Sequence, residues 1–314
     1  GVNKNMAVML AEATGRYGTA AKKIQQEFTR YPLNPGANAA VQTGMAVTIT
    51  GASFVSGFNH SESTVPGDST KYNTNLYSNN GCDNWSGGSG SGDCKSAYEG
   101  VDKDPDLDCK KSPCTPYNAA YSGMTEADGH KPAVVTNSPL TAKGSMDAWG
   151  GDGTKGWLDE SASNTFPSLE KMLGLEDYPD VVQAMKDNAN KDPNACPSGF
   201  TYIDNAQSQQ VYKPSKIANC PSGSGVMVVT GDLDITSQFE FRGLIYVLGD
   251  ASLGGGSWTL GSMAVKGVAS GVKLAAGNPT VLYSKATVAR EVMRAAMTNG
   301  AAFNILSWRE VTSK

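Results

Sequence analysis

Apolar residues recur at steps of three and four in the first thirty residues of the chain. They are Met6, Met9, Leu10, Ala13, Tyr17, Ala20, Ile24 and Phe28. Such spacing places apolar side chains on one side of an α-helix, although Gly15 and Gly18 each weaken a helix by about 1 kcal/mol relative to alanine. Pro32 ends the pattern. The sequence therefore predicts an amphipathic helix within residues 1–31.

Short apolar bursts separated by glycine occupy two other parts of the chain. Residues 46–57, AVTITGASFVSG, predict two short strands joined by a tight turn. From residue 225 to 284 the bursts are closed by turns at Gly231, Gly249, Gly261 and Gly277. Short strands punctuated in this way are typical of a β-solenoid, in which each coil buries its inward side chains against the neighbouring coils. A meandering antiparallel sheet or sandwich is the alternative, and the scarcity of Asn-Gly hairpin turns favours the solenoid.

Two stretches in the second half of the chain have helical periodicity. Residues 168–188 carry two short apolar faces, one on each side of Pro179. Residues 286–300 place Val288 and Val292 on one side of a second helix, which ends at a glycine. The following segment, FNILSWREV at 303–311, predicts a closing strand.

Charge distinguishes the middle of the chain from its flanks. The whole chain has 30 acidic and 26 basic residues, for a net charge of −4, and residues 58–224 contain 22 of the acidic and 13 of the basic ones. This balance argues against a protein that binds nucleic acid over its whole surface by neutralising phosphates. The sequence contains no run of about 18 uninterrupted apolar residues, which a membrane span requires.

The strand and helix patterns predict a mainly β fold with α-helices, and the break in charge and composition marks an insertion in it. An N-terminal helix spans 1–31, a β-solenoid or β-helix-like body spans 32–60 and 221–284, and a C-terminal helix and strand span 285–314. A disulfide-rich inserted domain of loops and helix interrupts the body at 61–220, because all the cysteines fall in this range and it lacks the strand pattern of the flanks.

The six cysteines lie in loop-like sequence, mostly beside proline, glycine or charged residues. They are Cys82, Cys94, Cys109, Cys114, Cys196 and Cys220. An even number of cysteines in such positions indicates disulfides formed outside the cytoplasm. A zinc site is disfavoured because close cysteine pairs are absent and His60 and His130 are the only histidines. Sequence order suggests the pairs 82–94, 109–114 and 196–220, among the many connectivities that six cysteines allow.

An acidic loop, VDKDPDLDCKK, provides a candidate calcium site. Its carboxylates alternate along the chain at Asp102, Asp104, Asp106 and Asp108, and Ca²⁺ prefers several hard oxygen ligands on a flexible turn. The loop departs from the EF-hand pattern, because Leu107 occupies the position of the required glycine and Pro113 that of the bidentate glutamate. A solvated acidic loop held by a Cys109–Cys114 bond is the alternative. No other cofactor is required by the sequence.

The sequence disfavours catalysis. His60 next to Ser61, and Ser145 near Asp147, suggest a hydrolase, but neither serine lies in a nucleophile elbow with a third orienting group. A solenoid enzyme acting on polyuronates would gather carboxylates around a basic residue. The candidates are Asp232, Asp234, Glu240 and Asp250 with Arg242 as the base. Asp232 and Asp250 each follow a glycine and are more simply explained as turn residues.

Three groups of segments carry a resemblance to a known family. LAEATG, residues 10–15, is similar to an A-E-A-G element that follows a membrane helix, and ILSWREV, residues 305–311, is similar to a closing strand. VTITGASFVSGFNH and FEFRGLIYVLGDASL are similar to a repeated strand, glycine, strand pattern. Together they resemble the accessory or minor pilins of type IV pili, specifically the PilX-type assembly proteins with a β-solenoid body. The resemblance covers about 1–60 and 225–314.

The resemblance implies a location and a role. An N-terminal apolar helix would precede Gly1, anchor the protein in the inner membrane and then pack in the pilus shaft. The rest would lie outside a bacterial cell, at or near the filament tip, with other pilins as partners and no enzymatic activity. This location agrees with the disulfide prediction, which rests on the cysteines alone. The implied function is pilus assembly together with an interaction head for adhesion or ligand capture.

Two groups of residues are candidates for binding a partner such as a host surface, a glycan or DNA. Trp85, Trp149 and Trp157 lie among tyrosine, serine, glycine and asparagine, a mixture typical of recognition surfaces, although an inserted domain needs aromatics for its own core. Lys285, Arg290 and Arg294 form either a basic patch for DNA or a neighbouring pilin, or a solvated helix face. The alternatives are therefore a surface receptor that binds DNA for uptake and a secreted β-solenoid enzyme acting on polysaccharide.

Overall fold

The structure is a computed structural model that describes most of the chain outside one long central segment. The described residues are 8–18, 20–31, 33–51, 53–57, 59–60, 62, 131–138, 140–143, 147–149, 158–159, 166–208, 210–275, 277–298 and 303–311. Of the helices in these ranges, none combines the length and apolarity needed to cross a membrane.

The described residues form strands and helices in the following order. The strands of the first half are β1 (Val8–Tyr17), β2 (Ala20–Arg30), β3 (Val41–Thr43), β4 (Val47–Thr50), β5 (Phe54–Ser56), β6 (Val134–Thr136), β7 (Leu140–Lys143), β8 (Asp147–Trp149) and β9 (Leu158–Asp159). The helices are α1 (Leu169–Leu173), α2 (Pro179–Asp187) and α3 (Lys285–Thr298). The strands of the second half are β10 (Phe200–Ile203), β11 (Ser222–Val229), β12 (Leu233–Ile235), β13 (Glu240–Val247), β14 (Ala251–Leu253), β15 (Trp258–Val265), β16 (Val272–Leu274), β17 (Thr280–Tyr283) and β18 (Phe303–Val311).

Two parallel sheets make up the body of the described chain. The larger has the order β10-β11-β13-β15-β17-β5-β8, with β3, β6 and β9 joined to it through β15. The smaller has the order β12-β14-β16-β4-β7. From β11 to β16 the strands belong alternately to the two sheets. The larger sheet contains β11, β13 and β15, and the smaller sheet contains β12, β14 and β16. The prediction of a mainly β fold is confirmed at this level, but the turn predicted at Gly261 is wrong because Gly261 lies within β15.

The order of strands in the larger sheet differs from their order along the chain. The first half of β15 pairs with β17, and its second half pairs with β3 from near the start of the chain. Next, β5 pairs with β17 and β6 pairs with β3. Finally, β8 pairs with β5 and β9 pairs with β6. The first third of the chain therefore continues the sheet that the last third begins.

The core consists of side chains that occupy equivalent positions on successive strands. One row in the larger sheet is fully buried and consists of Met227, Ile245, Met263, Val41 and Val134. A row in the smaller sheet, consisting of Ile235, Leu253, Leu274 and Ile49, is buried in the same way. Parallel strands buried on both faces are built from nearly continuous apolar runs, which explains the bursts GVMVV and GLIYV in the sequence.

A second row in the larger sheet consists of glycine. Gly225, Gly243 and Gly261 are aligned on β11, β13 and β15, and we call these three residues the glycine ladder. Their φ angles of +113°, +131° and +145° lie in a region that side chains rarely adopt. A β-carbon at each would also overlap the backbone oxygen of another glycine: Gly199, just before β10, for Gly225, and the preceding member of the ladder for Gly243 and Gly261. Glycine at these positions allows the strands to bend together, and α3 packs over β11, β13 and β15.

The predicted N-terminal helix within residues 1–31 is wrong for the residues that the structure describes. Residues 8–30 instead form a hairpin of β1 and β2, which turns at Gly18 with a φ of +59°. Its strand β2 also pairs with β18, giving a three-stranded antiparallel sheet in the order β1-β2-β18. Steps of four residues keep side chains on one face of a strand as well as of a helix. The periodicity therefore could not distinguish the two.

The remaining predictions of local structure have different outcomes. The helices predicted in 168–188 and 286–300 are confirmed as α1, α2 and α3, and the closing strand is confirmed as β18. The two strands predicted in 46–57 are also present, as β4 and β5, but they belong to different sheets rather than to a hairpin.

The boundary of the predicted insertion, 61–220, needs correction. Strands β6, β7 and β8 lie inside that range and pair with β3, β4 and β5, and β10 pairs with β11. The strands β6, β7 and β8 are only three or four residues long, which is too short for an alternation of apolar and polar residues to identify them in the sequence. The parallel sheets therefore include β6, β7, β8 and β10, and the segment 63–130 lies outside the described residues.

The predicted bond between Cys196 and Cys220 is present, with a Cα–Cα distance of 5.5 Å. It connects the residues before β10 and β11, the first two strands of the larger sheet, across 24 positions of sequence. The pairs 82–94 and 109–114 lie outside the described residues.

We expect the double variant Cys196→Ser/Cys220→Ser to lose about 3 kcal/mol of stability. The disulfide closes a loop of this length and so restricts the unfolded chain, and the variant lacks that restriction. Urea unfolding of the variant and of the oxidised wild type measures the difference. Equal midpoints would show that this bond does not stabilise the body.

Candidate functional site

The two ends of the segment 63–130 meet at one place on the parallel body. The amide of Lys131 donates a hydrogen bond to the carbonyl oxygen of Gly57 at 2.8 Å. The backbones approach so closely that a β-carbon at Gly57 would overlap the oxygen of Lys131 and the carbonyl carbon of Pro132. We call Gly57, Asn59, His60, Glu62 and Lys131 the stem.

The stem is attached to the end of β17 and the beginning of α3. The amide of His60 donates to the carbonyl oxygen of Tyr283 at 2.9 Å, and the amide of Lys285 donates to Oδ1 of Asn59 at 2.8 Å. His60 is buried, and its Nε2 lies 2.8 Å from Oγ of Ser56 on β5. These contacts fix residues 59 and 60 between the larger sheet and the helix.

Two arginines bind Glu62, the last described residue before the segment. Nη1 of Arg290 on α3 lies 3.0 Å from Oε2 of Glu62, and Nη1 of Arg242 on β13 donates to the backbone oxygen of Glu62 at 3.1 Å. The Arg290–Glu62 pair is partly exposed to solvent, and such pairs contribute at most about 1 kcal/mol. Their main effect here is geometric, because they fix the direction in which the chain leaves the body.

A buried carboxylate lies beneath these arginines. Glu291 on α3 is only 2% exposed, and its Oε1 accepts a hydrogen bond from Nε of Arg290 at 3.0 Å. Nη1 of Arg294 is 3.9 Å from its other oxygen. The helix can bring Glu291 this close to the sheet because Gly243 has no side chain: a β-carbon there would lie 3.2 Å from Cβ of Glu291.

Arg242 completes the cluster on the sheet side. Its guanidinium lies over the ring of Trp258, 4.9 Å from the centroid, in a cation–π contact. Burial lowers the pKa of Arg242 from its ordinary value, and the neighbouring charge of Arg290 lowers it further, while Glu240 and Glu291 oppose the shift. An arginine remains protonated under physiological conditions even so. In this cluster, the positive charges of the arginines and the negative charges of the glutamates therefore offset one another.

The structure locates the predicted basic patch in this cluster. Arg290 and Arg294 do lie on one side of α3, with Glu291 between them, and Lys285 begins the helix at the stem. Their partners Glu62 and Glu291 offset much of the positive charge. The residues therefore form contacts within the protein, and this face has less charge for binding phosphate than the sequence pattern indicates.

The candidate enzyme residues fall into two groups on different sheets, so the carboxylates do not gather around Arg242. Asp234 lies on β12 in the smaller sheet and pairs with Lys213 at 3.3 Å, whereas Glu240 and Arg242 lie on β13 in the larger sheet. Asp232 accepts a hydrogen bond from the amide of Asp250 at 2.8 Å, as expected for a turn residue.

Asp250 holds the loop before β16. Its carboxylate accepts backbone hydrogen bonds from Val268, Ala269, Ser270 and Gly271. Burial alone would raise the pKa of the Asp250 carboxyl, but these four bonds outweigh it and lower the pKa below its ordinary value. Because the Asp250 carboxylate accepts these backbone hydrogen bonds, we interpret it as a structural residue that stabilises the loop.

We expect Asp250→Asn to destabilise the protein by about 1–3 kcal/mol at neutral pH, because a charged acceptor is lost and an amide NH₂ faces backbone donors. Since the folded pKa is lowered, this stabilisation is present above the unfolded value of about 3.9 and is lost as pH falls through the folded value. Denaturant unfolding at several pH values should therefore show that the difference in the free energy of unfolding between the wild type and the variant becomes smaller in acid. Asp177→Asn at an exposed site is the control. If both variants match the wild type, the carboxylate does not hold this loop.

Several predicted site residues lie outside the described residues. These are the calcium candidates Asp102, Asp104, Asp106 and Asp108, the cysteines Cys82, Cys94, Cys109 and Cys114, and Trp85, Trp157, Ser61 and Ser145. Trp149 is placed on β8, opposite Ser56 of β5. In the part of the chain that is described, no group of His, Cys, Asp or Glu residues is arranged to hold a metal ion.

Sequence reasoning missed Gly57, Glu62 and Glu291. The carboxylate of Glu291 did leave a signal, because it falls on the apolar stripe of α3 next to Val288 and Val292, where a solvated glutamate is out of place. Gly57 and Glu62 left none, since their partners are Lys131, Arg242 and Arg290, all distant in sequence.

Comparisons of the chain with protein-family models, with curated proteins and with solved structures find no match.

Proposed function

We propose that this chain is a non-enzymatic, extracellular accessory pilin of a type IV pilus whose body holds the segment 63–130 as an interaction head. The observation that carries the proposal is the stem: both ends of the segment are held side by side on a parallel β body. A segment held in this way can vary in sequence and bind a partner without disturbing the body.

The body is best explained as a β-solenoid. Successive strands of the two parallel sheets repeat the same register, as in the glycine ladder and the buried row that contains Met227 and Ile245. Each strand then buries its side chains mainly against the strands before and after it. Such a stack is rigid, and rigidity suits a part that must hold a binding segment away from a filament.

An extracellular location is supported by the cysteines. The bond between Cys196 and Cys220 is of a kind that persists in oxidising surroundings and is rare in the cytosol. The assignment to a pilus is supported by the resemblance of residues 10–15, 47–60, 239–253 and 305–311 to PilX-type assembly proteins. A binding role is favoured over catalysis because the candidate carboxylates Asp232 and Asp250 are engaged in turns.

Recovery of the protein with surface filaments tests this proposal. Filaments are sheared from cells that produce the whole protein, and the fraction is probed with an antibody against the chain. We expect the chain to be enriched with the major pilin relative to a soluble periplasmic protein from the same cells. Its presence only in the cell fraction, with filament number unchanged after gene deletion, would reject the pilus assignment.

A further inference from the structure

One end of the parallel body is formed by residues 200–220. Strand β10 is the end strand of the larger sheet, and Tyr212 pairs through a single bridge with Leu233 of β12, the end strand of the smaller sheet. Beyond β10, the amide of Asn190 donates to the carbonyl oxygen of Phe200 at 2.9 Å. Beyond Tyr212, no strand of the described chain continues the smaller sheet.

A cavity of about 600 Å³ opens at this end of the body. Its lining comes from Pro193 and Asn194, from Ile203 and Asn205, and from residues between 210 and 218. Sites for small organic molecules have volumes of about 300–1,000 Å³ and combine apolar surface with a few polar groups. The volume and the lining of this cavity meet both criteria.

Side-chain hydrogen bonds hold the walls of the cavity in place. The amide nitrogen of Asn205 donates to the backbone oxygens of Gln210 at 2.7 Å and Asp232 at 3.0 Å. On another wall, Oδ1 of Asp192 accepts a hydrogen bond from the backbone amide of Asn194 at 2.9 Å. Both loops are therefore ordered in the free protein, and binding does not have to order them.

Tyr212 lines the cavity and has a hydroxyl group without a hydrogen-bond partner among the described residues. The residue is only 5% exposed, and buried hydroxyl groups in proteins are almost always paired. Burial, followed by the charge of Asp192, raises the pKa of Tyr212 to about 12. The hydroxyl therefore remains protonated and can donate a hydrogen bond. An apolar ligand would leave it unpaired.

The charges around the cavity favour a neutral ligand. Lys213 of the lining pairs with Asp234 at 3.3 Å. This pairing leaves Lys216 of the lining and the neighbouring Asp192 as one charge of each sign. Since the charge of Asp192 acts on the hydroxyl of Tyr212, an anion bound at that hydroxyl would be repelled.

The remaining groups of the lining suit a sugar ring. Asn194 and Gln210 are exposed, and their side-chain amides can both donate and accept hydrogen bonds, as sugar hydroxyls do. Ile203 and Ile217 provide apolar surface for the C–H groups of a ring. We propose that this cavity binds a neutral hexose and that the hydroxyl of Tyr212 donates to one of its oxygens. The site lies in the body and does not depend on the pilus assignment.

Saturation-transfer NMR of the 314-residue chain with matched sugars tests the proposal. The probes are glucose, galactose and mannose, each compared with its uronate, in which a carboxylate replaces the CH₂OH group. We expect at least one of the three hexoses to bind and its uronate to bind at least tenfold more weakly. If no hexose binds, or if the uronates bind as well as the hexoses, the proposal is overturned.

Tyr212→Phe removes only the hydroxyl group. It should weaken binding of the hexose at least tenfold. Without sugar, its unfolding midpoint should be no lower than that of the wild type, because no hydrogen bond within the protein is lost. Tyr202→Phe is the matched control, since Tyr202 lies on the opposite face of β10 from Ile203 and should keep full binding. A lowered midpoint or unchanged binding for Tyr212→Phe would overturn the proposal.

Val211→Trp tests the location of the site while keeping the hydroxyl of Tyr212. Val211 lines the cavity and is 40% exposed, so a larger side chain can be accommodated without disturbing the core. We expect the indole to occupy part of the cavity and to weaken hexose binding at least tenfold, with an unchanged circular dichroism spectrum. A hexose that binds this variant as well as the wild type lies elsewhere on the protein, which would contradict the proposed site.

Discussion

Replacing Gly243 with alanine is expected to lower the stability of the protein by at least about 3 kcal/mol, roughly 5 °C in Tm. The residue is the middle member of the glycine ladder, with a φ of +131°, and an added β-carbon would overlap the backbone oxygen of Gly225. It would also lie 3.2 Å from Glu291. The variant must therefore move β13 away from β11, and α3 must also shift slightly away from the sheet.

Gly256→Ala separates the effect of overlap from that of backbone angle. Gly256 has a φ of +80°, but the nearest atom to an added β-carbon is 3.7 Å away, at the side chain of Gln238. We expect it to cost only about 1 kcal/mol. Thermal unfolding of both variants provides the comparison, and equal losses would contradict close packing at the ladder.

Replacing Gly57 with alanine is expected to open the stem. The added β-carbon would overlap the backbone of Lys131 and Pro132, so the hydrogen bond from the Lys131 amide to Gly57 must lengthen or break. We expect a loss of about 2–3 kcal/mol. Hydrogen exchange measured by mass spectrometry on a peptide that contains Lys131 at an internal position should be at least about tenfold faster than in the wild type.

Gly15→Ala is the control for this experiment. Gly15 lies on β1, has no positive φ and has no atom within 4 Å of an added β-carbon. Its replacement should leave exchange near residue 131 unchanged. If Gly57→Ala also leaves exchange and stability unchanged, then the ends of the segment 63–130 are not held together as described.

Local pattern predicted the second half of the fold well and the first half less well. The bursts between residues 225 and 284 became strands because a strand buried on both faces must be apolar along its length. The stripe of Val288, Val292 and Ala295 became α3 because a helix beside a sheet buries one face. In both cases the segment's own sequence contains the information.

Long-range pairing explains what could not be predicted. Residues 8–30 are strands because β2 pairs with β18, which lies at the other end of the chain. The pairing of β3 with β15 likewise joins Val41 to Met263, and nothing near either residue specifies it. The stem has the same character, since Gly57 and Lys131 are brought together only when β5 and β6 have joined the larger sheet.

The measurement that bears most directly on the proposed role compares two forms of the whole protein in cells. One is intact, and in the other a short Gly/Ser linker replaces residues 63–130 between Glu62 and Lys131. We predict that both forms appear in equal amounts with sheared filaments, because the body is unchanged, and that only the intact form supports attachment of the cells to a surface. Attachment that persists without the segment, or an intact protein that never accompanies the filaments, would contradict the role proposed for this chain.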